Sequence, residues 1–206
     1  PIEATTQKIT ISRQASDWYL SCSYEFTPTA TSKTTEVVGV DLGIKTLATL
    51  STGEVFKSVK PYRKTQNKLA TLQRQLSNKV KYSSNWYKAV IKLAKKHRRV
   101  ADIRKDALHK LTTYLAQNHG TVVIEDLNVS GMLANHKLAK SIADQGFYEF
   151  RRQLEYKCRW YGSQLVVVDR FFPSSKTYSN CGYVKDMPLN LRTFDCNSCG
   201  LSIDRV

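Results

Sequence analysis

The sequence predicts a mixed α/β layer fold with a small cysteine-bearing appendix, and three observations carry that expectation. Three apolar, β-branched segments of strand length, residues 37–43, 121–127 and 165–169, are separated by stretches of helical periodicity. Asp41 and Glu125 each lie at or near the carboxyl end of one of these apolar strands. Finally, Cys181, Cys196 and Cys199 cluster near the end of the chain with the spacing of metal-binding knuckles.

Residues 8–12 and 18–26 alternate as two strands, and the polar stretch 13–17 between them makes a hairpin. Residues 27–35, rich in Thr, Ser and Pro, read as a linker and a domain boundary. Segments 37–43, 46–51 and 54–59 then form a meander of three strands. Two helices follow, over 64–80 and 86–118; Leu93, Val100, Ile103, Ala107, Leu111, Tyr114 and Leu115 recur at helical spacing in the second. Asn118-His119-Gly120 is its stop. A buried strand over 121–127, a helix over 146–161 closed by Gly162, and a last core strand over 165–169 complete the core. Residues 173–203 remain for a ribbon, and no internal repeat or low-complexity tract is present.

At 206 residues with 41% apolar content, the chain has enough material for one or two domains with a core. No apolar run reaches the ~18 residues that span a bilayer, and the first residues lack the basic and apolar regions of a secretory leader. The start, without Met, reads as a piece of a longer protein. Net charge is +15, which asks for a polyanionic partner. The charge is concentrated: residues 57–110 hold 17 of the 32 Lys and Arg and only two acids, Asp102 and Asp106. A segment so lopsided favours nucleic acid over a solvated face, and it lacks the continuous bulky apolar face of a membrane-surface helix. Within it, Lys92, Lys95, Lys96, Arg98 and Arg99 form the densest basic run. Tyr62, Tyr82, Trp86 and Tyr87 are interleaved and suited to stacking on unpaired bases, although Trp86 and Tyr87 fit helix packing better.

The cysteines point to a reducing compartment and to metal, not to a disulfide framework. Cys22 and Cys158 read as inert core thiols. Two Cys-x-x-Cys knuckles on a hairpin would hold one Zn²⁺ through four thiolates. Here Cys181, Cys196 and Cys199 supply three, and Tyr178 stands at the fourth position. None of the four histidines (His97, His109, His119, His136) is near in sequence, so closure of the site is weakened.

Asp41 and Glu125 are 84 positions apart, yet strands presenting acids at their carboxyl ends can bring them together. A charge there is costly unless paired or bound to a cation. Oxygen ligands suit Mg²⁺, and two such ions about 3.5–4 Å apart activate water on a phosphodiester. Alone, Asp41 also fits a turn residue beside Gly43, and Glu125 an exposed strand-end acid; the basic arm and cysteine cluster in the same chain favour the site.

Together, Val-Gly-Val-Asp41-Leu-Gly-Ile-Lys, Val-Ile-Glu125-Asp-Leu-Asn, Pro-Ser-Ser-Lys-Thr, the cysteine pairs and Asp204-Arg resemble the TnpB family of OrfB-type transposases over roughly residues 36–206. These are transposon-encoded, RNA-guided DNA endonucleases related to compact type V CRISPR effectors. The resemblance implies a RuvC-like RNase H fold with an inserted helical hairpin and a C-terminal zinc ribbon. It divides the chain into the end of a wedge-like β domain and linker (1–35), a nuclease core (36–172) with a basic helical insertion (60–118), and the ribbon with the start of the last RuvC motif (173–206). It makes Asp41 and Glu125 the first two catalytic carboxylates and Asp204 the candidate third. It further implies Mg²⁺ as catalytic and Zn²⁺ as structural ion, guide RNA and target DNA as partners, and a prokaryotic cytoplasmic, nucleoid-associated location.

The family's last motif reads Asp-Arg-Asp, and this chain has Asp204-Arg205-Val206. With Tyr178, that departure leaves three readings open: an intact nuclease, an RNA-guided DNA-binding protein that no longer cleaves, and a decayed transposon copy. A purely structural RNA-binding zinc-ribbon protein is a fourth, and it leaves Asp41 and Glu125 unexplained.

Overall fold

A computed structural model describes residues 6–25, 27, 29–172, 177, 181–185, 193–200 and 202–204. The first strands, β1 (Thr6–Gln14) and β2 (Asp17–Tyr24), form an antiparallel hairpin. Its turn is tighter than the sequence suggests. Gln14 pairs with Asp17, and Ala15 takes a left-handed φ of 56°. The hairpin is exposed on both sides, from Ile11 to Leu20. Cys22 is therefore exposed and not a core thiol: a two-stranded ribbon has no layer of its own to bury it. Cys158 is buried as expected.

The supposed linker is pinned. Lys33 Nζ donates to the carbonyls of Ala116 (2.8 Å) and Tyr161 (2.7 Å), and Thr34 N to Asn118 O (2.8 Å). These are carbonyls at the C-terminal ends of two helices, α2 (Ser84–Asn118) and α5 (Phe147–Tyr161), where a cation is favoured.

The core sheet has five strands in the order β5 (Val55–Lys57), β4 (Thr46–Leu50), β3 (Thr35–Leu42), β6 (His119–Glu125) and β7 (Gln164–Val168). β3, β4 and β5 form the antiparallel meander, whereas β3, β6 and β7 run parallel, as the crossover helices between them require. Val38, Val40, Val122 and Ile124 pack against Leu108, Leu111 and Leu115 of α2 and Phe150 and Leu154 of α5. Gly120, read from sequence as a helix stop, lies instead in β6. A Cβ there would meet the Glu36 carbonyl at 2.9 Å, so the close approach of β3 and β6 requires glycine.

Helix α1 (Pro61–Ser77) pairs with the first half of α2 through Leu69, Leu72, Leu93 and Val100. Two short helices, α3 (Val129–Ala134) and α4 (Ala139–Gln145), occupy the segment between β6 and α5. Beyond β7, β8 (Thr193–Asp195) and β9 (Ser202–Asp204) form a small antiparallel pair, and Thr177 bridges Val184. Among the described residues no helix is long and apolar enough to cross a membrane.

Candidate active site and metal cluster

The parallel pairing of β3 and β6 puts Val40 opposite Ile124, and both are buried in the core. Side chains alternate along a strand, so the next residues, Asp41 and Glu125, turn together to the other side. Neighbouring strands lie about 4.8 Å apart, which places the two acids side by side at the carboxyl edge. Their electrostatics agree. Desolvation first, and then the charge of Glu125, hold the Asp41 carboxyl above its usual value. A cation bound beside Asp41 would offset that cost.

Glu125 also lines a cavity of about 520 Å³ with Asn128, Tyr148, Arg151, Arg152 and Arg170. Its arginines are all engaged by acids. Asp126 accepts from Arg151 Nη1 at 2.6 Å and from Arg170 through both Nε (3.0 Å) and Nη2. Arg170 and then Arg151 hold the Asp126 carboxyl below the ordinary carboxylate range. Arg152 forms a fork on Glu149 at 2.7 and 2.8 Å, which depresses that carboxyl to about 2. Sequence reasoning missed Asp126 and Asp169. Asp169 follows β7, where its carboxylate accepts from Phe171 N at 2.7 Å. The signal was present, since each is an acid beside a strand end, as Asp41 is.

Just beyond β3, Gln145 Nε2 donates to Ile44 O at 3.3 Å and Ser58 Oγ to Gln145 Oε1 at 2.8 Å. Next to it, buried Asp144 accepts from the backbone of Tyr62 (3.0 Å) and Arg63 (3.1 Å). Asp144 thus caps α1, whose own N-cap residue, Lys60, makes no side-chain cap. A cleft of about 290 Å³ opens there, bordered by Lys60, Arg63, Lys137 and Lys140.

The basic run of α2 divides. At 100° per residue, Lys92, Lys95, Lys96 and Arg99 share one stripe, about a quarter-turn from buried Leu93 and Val100. Arg98 lies off it and clasps the hairpin: it pairs with Asp17 at 2.5 Å, donates to Gln14 O at 3.2 Å and covers the Tyr19 ring. Trp86 packs between the rings of Tyr82 and Tyr87 at 5.5 and 5.1 Å, in line with a packing role, while Tyr82 and Tyr87 stay exposed.

The ligand atoms of Cys181, Cys196 and Cys199 all lie within 4.8 Å of one another, with 3.6 Å between the first two sulfurs. Thiolates on one tetrahedral zinc at ~2.3 Å stand about 3.8 Å apart, close to the Cys181–Cys196 spacing. Tyr178, Arg205 and Val206 lie outside the described residues, as does the side chain of Asp204; its backbone pairs with Thr193 in β9.

Two family models match the chain: OrfB_IS605, described as "Probable transposase", over residues 20–136, and the Cas12f1-like TNB domain over 147–205. A Streptomyces pristinaespiralis protein named "Putative RNA-guided DNA endonuclease" is 47% identical over 207 residues, covering 100% of this chain and 51% of the relative. An Escherichia coli K12 protein, "Putative RNA-guided DNA endonuclease InsQ", is 40% identical over 95% of this chain and 52% of its own length. The chain thus spans about half the length of the relatives it matches. The fold is similar to that of a Cas12f1 chain solved by cryo-EM in a complex with sgRNA and target DNA. The TM-score is 0.60 at 18% identity, over 89% of this chain and 40% of that one. With a family model matching more than half its length, the chain belongs to the OrfB/IS605, or TnpB, transposase family.

Proposed function

We propose that this chain carries the RuvC-like RNase H core of an RNA-guided, Mg²⁺-dependent DNA endonuclease associated with a transposable element. The observation that carries the reading is the side-by-side register of Asp41 and Glu125 at the carboxyl ends of parallel β3 and β6, with the Asp41 carboxyl raised by burial and by its neighbour. Bound Mg²⁺ would supply Lewis-acid activation of water and of the scissile phosphate. The residues' own task is to hold two oxygen donors in fixed register on a rigid sheet. Asp204 is the candidate third acid. The domains follow the sequence: the hairpin and following segment (1–35) as the end of a wedge-like unit, the nuclease core (36–172) with its helical insertion (60–118), and the ribbon (173–206). Cys181, Cys196 and Cys199 would hold Zn²⁺ as a structural ion, less tightly than four thiolates because Tyr178 stands at the remaining position.

The partners are target DNA and a guide RNA, whose pairing supplies sequence while the protein reads backbone. On α2, Lys92, Lys95, Lys96 and Arg99 present one continuous cationic stripe for that purpose; Arg98 serves the hairpin. In the full-length protein with its guide, Asp41→Ala or Glu125→Ala should abolish cleavage of matched DNA and leave binding intact. Unchanged cleavage removes both from the mechanism. A protein that binds but does not cut is the second reading, favoured by Val206 where the family's last motif carries an acid, and it predicts no Mg²⁺-dependent product from the unmodified sequence either.

A further inference from the structure

The cations lining the two clefts are used unequally, and the inequality has a functional meaning. We propose that the cleft between α1 and α4 seats the sugar-phosphate backbone of the DNA strand to be cut, with Lys60, Arg63, Lys137 and Lys140 as its phosphate contacts. The inference rests on the nuclease reading above and names where its substrate strand lies.

Four cations border one cleft of about 290 Å³, and among the described residues none of the four is within ion-pair distance of a carboxylate. The single acid in the lining, Asp144, is turned inward. Its side chain is 3% exposed and is consumed by the α1 backbone amides and by Arg104 Nη2 at 3.5 Å. The cleft therefore keeps a net positive charge with nothing in the described chain to neutralise it, which is the electrostatic form of a phosphate track. Lys60 adds to this. It adopts a left-handed φ of 44° at the start of α1, a position where Ser, Thr, Asp or Asn would have capped the helix. The local strain puts a cation where a cap would otherwise be.

Location connects the cleft to the chemistry. Its wall includes Ile44, fixed to α4 by the Gln145–Ile44 hydrogen bond. Ile44 follows Asp41 by three residues, at most about 11 Å of chain. At 3.4 Å per nucleotide along a strand, that is a reach of roughly three nucleotides. The cavity on the Glu125 side shows what a cleft without this property looks like, since its three arginines are already matched by acids. The wall cations are distinct from the α2 stripe, so the two surfaces can engage different stretches of nucleic acid.

The test is salt-dependent binding of a single-stranded DNA oligonucleotide to the full-length protein, read by fluorescence anisotropy with EDTA present to prevent cleavage. Lys137 and Lys140 are exposed, so Lys137→Ala/Lys140→Ala should fold normally, which circular dichroism checks. At about 0.7 per phosphate contact on a single strand, the log–log salt slope should become shallower by roughly 1.4. A charge-matched control elsewhere on the surface, Lys8→Ala/Lys105→Ala, should leave the slope in place. An unchanged slope in the first variant, or an equal loss in both, overturns the proposal. Asp41→Ala, measured in parallel for guide-dependent cleavage with Mg²⁺ and for binding with EDTA, separates the two claims. If it cuts DNA normally, the nuclease reading fails while the slope still reports on the cleft; if it binds normally and cannot cut, that reading stands whatever the lysines show.

Discussion

Two clefts, one lined by Glu125 and the other by Ile44 just beyond the strand that carries Asp41, differ in how their charges are used. Beside Glu125, Arg151, Arg152 and Arg170 each meet a carboxylate, so the cavity is rigid, hydrogen-bonded and close to neutral. Beside Ile44, four cations border a cleft whose one acid is spent on capping a helix. The first arrangement holds a strand end in place. The second has charge to spare for a ligand. Similar residue types thus serve structure on one side and, in the proposal for the α1–α4 cleft, recognition on the other.

The largest effect that would break this comparison is at the two strand-end acids. Loss of Asp41 or Glu125 should reduce cleavage by roughly 10³-fold or more, because several kcal/mol of metal-mediated stabilisation disappear, while guide-dependent binding persists in a gel-shift assay. A variant that loses both activities together would mean the acids support the fold instead.

Next in size is a control remote from both clefts. Lys157 is buried between α2 and α5, where its ammonium donates to His109 O, Thr112 Oγ1 and Thr113 Oγ1 at 2.7–2.8 Å. Burial pushes it down from the ordinary 10.5 to about 8. Between those values the unfolded chain binds the extra proton and the folded one does not. Stability contributed by this group should therefore rise with pH across about 8 to 10.5, by about 3 kcal/mol in all. Urea denaturation at several pH values should show that rise, and Lys157→Met should remove it without touching DNA affinity.

Smaller, but directly on the cation-rich side, Asp144→Ala uncaps α1 and strands two backbone amides. The expected cost is about 2 kcal/mol, a fall in Tm of roughly 4–8 °C, with weakened DNA binding as the cleft wall loosens. The smallest effect belongs to Arg98→Ala. Its partners are surface groups on the hairpin, so the stability change should be small. A loss of DNA affinity as large as that of Lys95→Ala would return Arg98 to the binding surface.

The core strands were legible because a short apolar, β-branched run near an acid suits a buried parallel strand, whereas the neighbourhood of Asp41 and Glu125 needed the parallel register of β3 and β6 to become visible. Helix α2 was legible for its length. Helices α3 and α4 were not: six or seven residues give no period, and Leu133 and Leu138 lie exposed, so no apolar face announces them. Asp144, Lys137 and Lys140 sit on or beside these unread helices, which is why the cation-rich cleft was invisible in the sequence. The contact of Arg98 with the hairpin was hidden for a different reason. Its place in a basic run said nothing of the hairpin folding back to meet it. Cys22 misled because alternation marks a strand but does not say whether a second layer covers it. The three clustered cysteines were legible from spacing, since Cys196 and Cys199 share one short turn with Cys181 close by in sequence.

The central claim is that Asp41 and Glu125 jointly hold a divalent ion, and Mn²⁺ binding followed by electron paramagnetic resonance tests it most directly. The expected result is bound Mn²⁺ in the unmodified protein, released by EDTA and lost in Asp41→Asn and in Glu125→Gln. Release on acidification should begin at a higher pH than for an ordinary aspartate, because the Asp41 carboxyl is raised. Mn²⁺ bound with the same stoichiometry and affinity in both variants would contradict it.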